Sequence, residues 1–362
     1  MLIRVQSFFI LMVFLPVVSS HAESAIALDA QAVLDAKRAE YTLAGVTAAV
    51  AIDFELVWEG GVGMRDREQS IPTEVTMLHR VASITKSMTA VAIMQLVESG
   101  KIDLDASLRT YLPDYPESDR GTIRIRHLLA HTSGVRHYRG DENRPFDHYD
   151  TLADALAVFQ GRRIAFEPGD RYLYTTYGYT ILGAVIESAT GMSYGEYMKE
   201  FVWTPSGMQS TSLEMHGAQD PNQSKLYRKN DAGEIEEDDY TDLSIKYPGG
   251  GLVSTSGDLV RFAIAFESGN LVSAGSRIAM FEIPLVSKPR RVPYALGWMV
   301  WDSETYGTYL HNDGGQSGTS TYLVILPEQK IAVAVMSNLS SEGRAVRDIA
   351  FSLVDLALAR QE

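Results

Sequence analysis

Cysteine is absent from all 362 residues. That absence excludes disulfides, thiolate zinc sites, a cysteine nucleophile and a lipid anchor on cysteine. Basic charge is scarce: 32 Lys and Arg face 46 Asp and Glu, a formal net charge of −14. This balance, with no basic stripe interleaved with aromatics, argues against nucleic acid or anionic lipid as a partner. The 8 histidines show no metal-ligand spacing, so no metal is expected, and nothing calls for a cofactor. Internal repeats and low-complexity tracts are missing. Beyond the N-terminus there is no long apolar run, so no stable membrane insertion is expected.

The first 22 residues are different in character. Arg4 is the only full charge there, Phe8 to Val18 is an apolar core, and Ser20-His21-Ala22 is a small-x-small cleavage site. This is the pattern of a secretory signal, with an apolar core too short to span a bilayer comfortably. A periplasmic or secreted protein is expected. At 45% apolar, the remaining chain is ample for one large domain or two interleaved ones.

Strand-like runs occupy both ends of that remainder and helical periodicity its middle. Thr47 to Phe54 and Leu56 to Val62 come first. Leu296 to Trp301, Thr308 to Leu310, Thr319 to Leu326 and Ile331 to Ser337 come last, before an amphipathic helix over Arg344 to Arg360. Helices are predicted over Ile123 to Ala130, Leu152 to Phe159 and Thr180 to Thr190. Thr255 with Asp258 resembles a capping box opening a helix through Phe266. The economical architecture is α+β: one antiparallel sheet from residues 23–120 and 245–362, with a mainly helical domain, 121–244, inserted.

Chemistry concentrates at Ser83-Ile84-Thr85-Lys86. The apolar run Met88, Val91, Ala92, Met94, Leu96, Val97 recurs at helical spacing and ends at Gly100. Residues three apart share a helix face, so the Lys86 amine can reach the Ser83 hydroxyl. Serine needs an adjacent base, and a lysine serves only when partly deprotonated, which burial and the helix dipole both favour. A second cluster, Pro168 to Tyr179, holds four tyrosines in eight residues. A tyrosine beside a lysine ammonium can have a lowered pKa and shuttle protons. A third cluster, His311-Asn312-Asp313-Gly314-Gly315-Gln316-Ser317-Gly318, lies between predicted strands. Its glycines permit close backbone approach, and its amides could stabilise an oxyanion.

The order and spacing of these clusters resemble the serine β-lactamase and penicillin-binding-protein family, for which Ser-x-x-Lys is a signature. The resemblance spans about Ala30 to Leu356 and is closest to the class C-like branch, with its D-aminopeptidases and family VIII esterases. His127 to Gly134, Glu167-Pro168-Gly169 and Gly249 to Thr255 support it. Val135-Arg136-His137-Tyr138 and Tyr174-Thr175-Thr176 look most like the subgroup of the mitochondrial serine β-lactamase-like protein and its bacterial relatives. The resemblance implies a β-lactamase/transpeptidase-like fold. It makes Ser83 the acylated nucleophile, Lys86 the base and Tyr174 the proton relay.

Thr176 stands where the branch usually has asparagine. In the third motif, the glycine alignment matches Asn312-Asp313-Gly314 to the usual Lys-Thr-Gly. The Ser83 and Gly315 amides then form the oxyanion hole, with Thr176, His311, Asn312, Asp313 and Gly314 as substrate-binding candidates. Aligning His311 instead would put Asp313 where the glycine belongs. Under the glycine alignment the usual cation is lost, which predicts neutral substrates and poor β-lactam turnover. His127 and His131 match a structural turn. The implied activity is hydrolysis of amide or ester bonds through an acyl-serine, with peptides the expected substrates. The alternatives are an esterase and a non-catalytic assembly protein.

Overall fold

The computed structural model describes residues 19–143, 147–217, 220–288 and 294–361. The expected signal segment lies outside these residues except for its last four, which open the helix Ser19–Tyr41. Among the described residues no helix is long and apolar enough to cross a membrane.

A seven-stranded sheet forms the frame. Its strands run in the order Ile71–Pro72, Glu55–Asp66, Gly45–Ile52, Ile331–Ser337, Thr319–Leu326, Gly307–Gln316 and Met299–Ser303, every neighbour antiparallel. The two chain ends meet at its centre, where Ala48 lies opposite Val335. Gly45–Ile52, Thr319–Leu326 and Ile331–Ser337 are buried almost throughout, as strands covered on both sides are, and most of their residues are apolar.

The two faces differ in side-chain size. Val46, Val50, Val333 and Val335 pack against the terminal helices Ser19–Tyr41 and Gly343–Gln361. Ala49, Ala51, Ala332 and Ala334 face the other way, where small side chains let the helix Ser256–Glu267 lie close. That second core continues without a break into the helices Thr85–Glu98, Ile125–Leu129 and Thr176–Thr190, so the sheet and the helical middle share one apolar interior.

Several boundaries differ from those predicted. The expected helix from Thr180 starts at Thr176, because the Thr175 hydroxyl accepts from the Gly178 amide. Thr255 does cap its helix, accepting from the Asp258 amide at 3.1 Å. The Asp258 carboxylate, however, takes the Ser210 amide and the Thr211 hydroxyl instead of closing a capping box. The third motif is not a loop between strands: the Gly307–Gln316 strand runs through it, paired residue by residue from His311–Val324 to Gln316–Thr319.

Candidate active site

Ser83 stands at a pinned turn. His79–Arg80 pairs with Leu252–Ser254 in a small separate sheet, and the Val81 amide donates to Leu252 O at 2.8 Å. The Thr319 and Thr321 hydroxyls donate to the Arg80 and Val81 carbonyls, both at 3.0 Å. Between these anchors Ala82 takes a left-handed conformation, φ +51°. A non-glycine residue in this region costs about 1–2 kcal/mol, strain of a kind that clusters at functional sites. A 3-10 turn over Ala82–Ile84 then feeds the helix Thr85–Glu98, presenting Ser83 at the surface and Lys86 beneath it.

Three side chains converge on one oxygen region. Lys86 Nζ lies 2.9 Å from Ser83 Oγ, and the Tyr174 hydroxyl donates to the same Oγ at 2.7 Å. Lys86 Nζ also donates to Gly249 O at 2.5 Å. Burial holds the Lys86 amine well below its ordinary 10.5; the Lys246 charge adds to this and Asp313 opposes it. Burial thus shifts Lys86 toward the free amine, the form that Ser-x-x-Lys chemistry needs.

Tyr174 departs from expectation. Burial pushes its hydroxyl well above 10.0, so it is a protonated donor and not the lowered-pKa phenol that its lysine neighbour suggested. The same burial disfavours the Lys86 ammonium, the cation that would stabilise a phenolate. Of the four clustered tyrosines, Tyr177 instead stacks on Phe159 and donates to Glu142, and Tyr179 donates to Leu129 O. His131 positions Tyr174: its ring packs 4.3 Å from the tyrosine ring, and its Nδ1 accepts from the Thr175 amide. Burial keeps His131 neutral.

A cavity of about 490 Å³ opens onto Ser83. Tyr174, Thr176, Asp313, Gly314 and Gly315, all candidates from sequence, line it. Gly314 is demanded by its surroundings: a Cβ there would lie 2.3 Å from Thr321 Oγ1 and 2.8 Å from Val81 O. Asp313 is solvent-exposed on the cavity wall, yet partial desolvation there raises its carboxyl above the ordinary range.

His311 and Asn312 are not brought to the cavity. The Asn312 amide turns inward, donating to Ser87 Oγ at 3.0 Å and Gly297 O at 3.2 Å. His311 stacks on Tyr322 at 5.2 Å, and burial lowers it to about 4, leaving it neutral. The pleat turns Asn312 toward Ser87 on one face of the strand and leaves His311 on the other, two residues along from Asp313 and stacked on Tyr322, a placement that a motif read as a loop does not foresee. His311 therefore cannot replace the missing cation.

His137 and Lys246 are among the cavity residues that escaped selection by sequence. His137 accepts from the Thr176 amide and is neutral, lowered to about 4 by burial. Lys246 comes from the turn Ser244–Lys246. Its signal was a lone charge within the otherwise uncharged run Leu243 to Val253. Elsewhere, His148 Nδ1 and His216 Nδ1 lie 2.9 and 2.7 Å from Asp242 Oδ2, a three-residue group that could hold a metal ion. Residues so distant along the chain have no motif spacing to betray them.

A family model of beta-lactamases matches residues 30–357. The human serine beta-lactamase-like protein LACTB, mitochondrial, is 27% identical over 384 residues, covering 79% of this chain and 69% of its own. The structure of the octameric penicillin-binding protein homologue from Pyrococcus abyssi superposes with a TM-score of 0.79 at 26% identity, covering 91% of this chain and 77% of that one. The D-stereospecific amidohydrolase from Streptomyces sp. gives 0.75 at 25% identity, covering 90% and 98%.

Proposed function

The chain belongs to the beta-lactamase family of serine hydrolases and has its transpeptidase-like fold, and we propose that it is an exported enzyme that cleaves amide bonds, peptides above all, through an acyl-Ser83 intermediate. One observation carries this reading: Ser83 Oγ is bonded at once to a buried lysine amine and to a tyrosine hydroxyl, at the mouth of a cavity.

In acylation the Ser83 hydroxyl proton passes to Lys86 as Oγ bonds the substrate carbonyl carbon. The oxyanion forms against the Ser83 and Gly315 amides. Tyr174 hands its proton to the leaving nitrogen as the C–N bond breaks, and Lys86 returns one to Tyr174. Water then releases the acyl group by the reverse relay. The Streptomyces neighbour, named as a D-stereospecific amidohydrolase, supports an amide substrate. The N-terminal 22 residues support export, and the protein recovered from its host's envelope or medium is expected to begin after Ala22.

Ser83→Ala tests the core of this scheme. Covalent labelling by a fluorophosphonate and turnover of peptide, D-peptide and ester substrates should all vanish with the melting temperature unchanged. Turnover surviving in Ser83→Ala refutes the assignment. Wild-type protein that labels but cleaves only esters is the esterase, and wild-type protein that never labels is the assembly protein.

A further inference from the structure

Lys246 takes no part in these acyl-transfer steps, yet it stands in the same cavity. It is 3% exposed. Its ammonium lies 5.6 Å over the Tyr138 ring, and among the described residues no hydrogen bond or ion pair reaches it. Glu214 is the carboxylate whose charge it feels, but both Glu214 oxygens are already taken by Arg80, at 2.8 and 2.5 Å. An ammonium buried without a partner costs several kcal/mol.

The backbone nevertheless holds it firmly in place. The Lys246 amide donates to Leu243 O, and the Thr180 hydroxyl donates to Ile245 O at 3.0 Å. Three residues on, Gly249 O receives Lys86. One short segment thus fixes both lysines relative to Ser83. Asp313, the residue that would repel an anion, and Lys246 act on Lys86 with opposite signs. The cavity is therefore polarised, negative at the third motif and basic at the Ser244–Lys246 turn.

We propose that Lys246 is the anion subsite of this enzyme, pairing with a carboxylate carried by the substrate and supplying from the Ser244–Lys246 turn the cation that Asn312-Asp313 lacks. This deepens the hydrolase reading and rests on it. It also reverses the preference for neutral substrates that the third motif alone predicts. Burial and the Arg80 charge lower Lys246 to about 7, so near neutrality both forms are present and an arriving carboxylate draws it to the ammonium.

The test uses a benzoylglycyl thioester whose thiol portion bears a free carboxylate, beside its carboxamide twin, with the full mature chain. Wild-type protein should prefer the carboxylate by about 10- to 100-fold in kcat/KM. Lys246→Met should abolish that preference through KM and keep fluorophosphonate labelling of Ser83. Lys246→Arg should retain most of the preference. A wild type without preference, a preference that persists in Lys246→Met, or an equal fall in kcat on both twins overturns the proposal. Calorimetric binding of the two thioesters to Ser83→Ala reads the same preference as Kd without any turnover. Failure of the hydrolase reading, seen as absent Ser83 labelling, is thereby separated from failure of the subsite, seen as equal affinities.

Discussion

Burial moves the two partners of Ser83 in opposite directions on the pH scale and to the same end. Removing water disfavours the Lys86 ammonium and the Tyr174 phenolate alike, lowering the first pKa and raising the second. The sign of the pH dependence follows. For a neutral ester, kcat/KM should rise as pH climbs through the depressed pKa of Lys86, below the ordinary 10.5, and then hold level to about pH 10. A decline setting in well below pH 10 would mean that Tyr174 ionises early and the relay works otherwise. Lys86→Ala and Tyr174→Phe should each slow acylation by about a thousandfold, and the double variant by little more, since one proton path is already cut by either. Burst-phase kinetics with a chromogenic ester would measure this, and multiplicative losses would contradict a shared path. Ser83, Lys86 and Tyr174 were readable from sequence because their chemistry is local or matches a motif. Lys246 was not, because its role depends on burial and on Arg80 having claimed Glu214, neither of which leaves a mark on neighbouring residues.

The Gly307–Gln316 strand serves both as sheet and as cavity wall, and adjacent glycines divide these duties. At Gly314 an added methyl would strike Thr321 and Val81, whereas at Gly315 it would meet nothing within 4 Å. Gly314→Ala should therefore lower stability by about 1–3 kcal/mol and slow acylation, because the strand must shift off the turn that carries Ser83. Gly315→Ala should be nearly neutral in a urea titration, and equal losses at both positions would refute this division. Strand pattern and glycine content of this segment were visible in the sequence. The continuity of the strand through His311 to Gln316 was not, since two glycines and an Asn-Asp pair read locally as a turn. Pairing with Thr319–Leu326 overrides that local preference. The start of the Thr176–Thr190 helix was missed for a related reason: its first turn carries tyrosines and a capping threonine without the apolar rhythm that marks the rest.

Long-range polar ties join the molecule across its cores. The Arg80 guanidinium binds Glu214, Thr241 O and Oγ1, and Ser317 O, linking three distant segments behind the cavity. Arg80→Met should cost about 3–5 kcal/mol by stranding the Glu214 charge, and adding Glu214→Gln should recover much of it in guanidinium denaturation. If the single and double variants were equally unstable, the lost packing of Arg80 and not the orphaned charge would be the cause. The central strand pair has a further consequence, for the time course of folding. Gly45 N donates to Asn338 Oδ1 across 293 positions of sequence, beside the pairing of Gly45–Ile52 with Ile331–Ser337. The sheet cannot close until nearly the whole polypeptide has been synthesised, and closure over such separations is slow. A chain built this way stays open while it lengthens, a state that can be threaded through a narrow channel, and it locks only when its last strand arrives to separate Gly45–Ile52 from Thr319–Leu326.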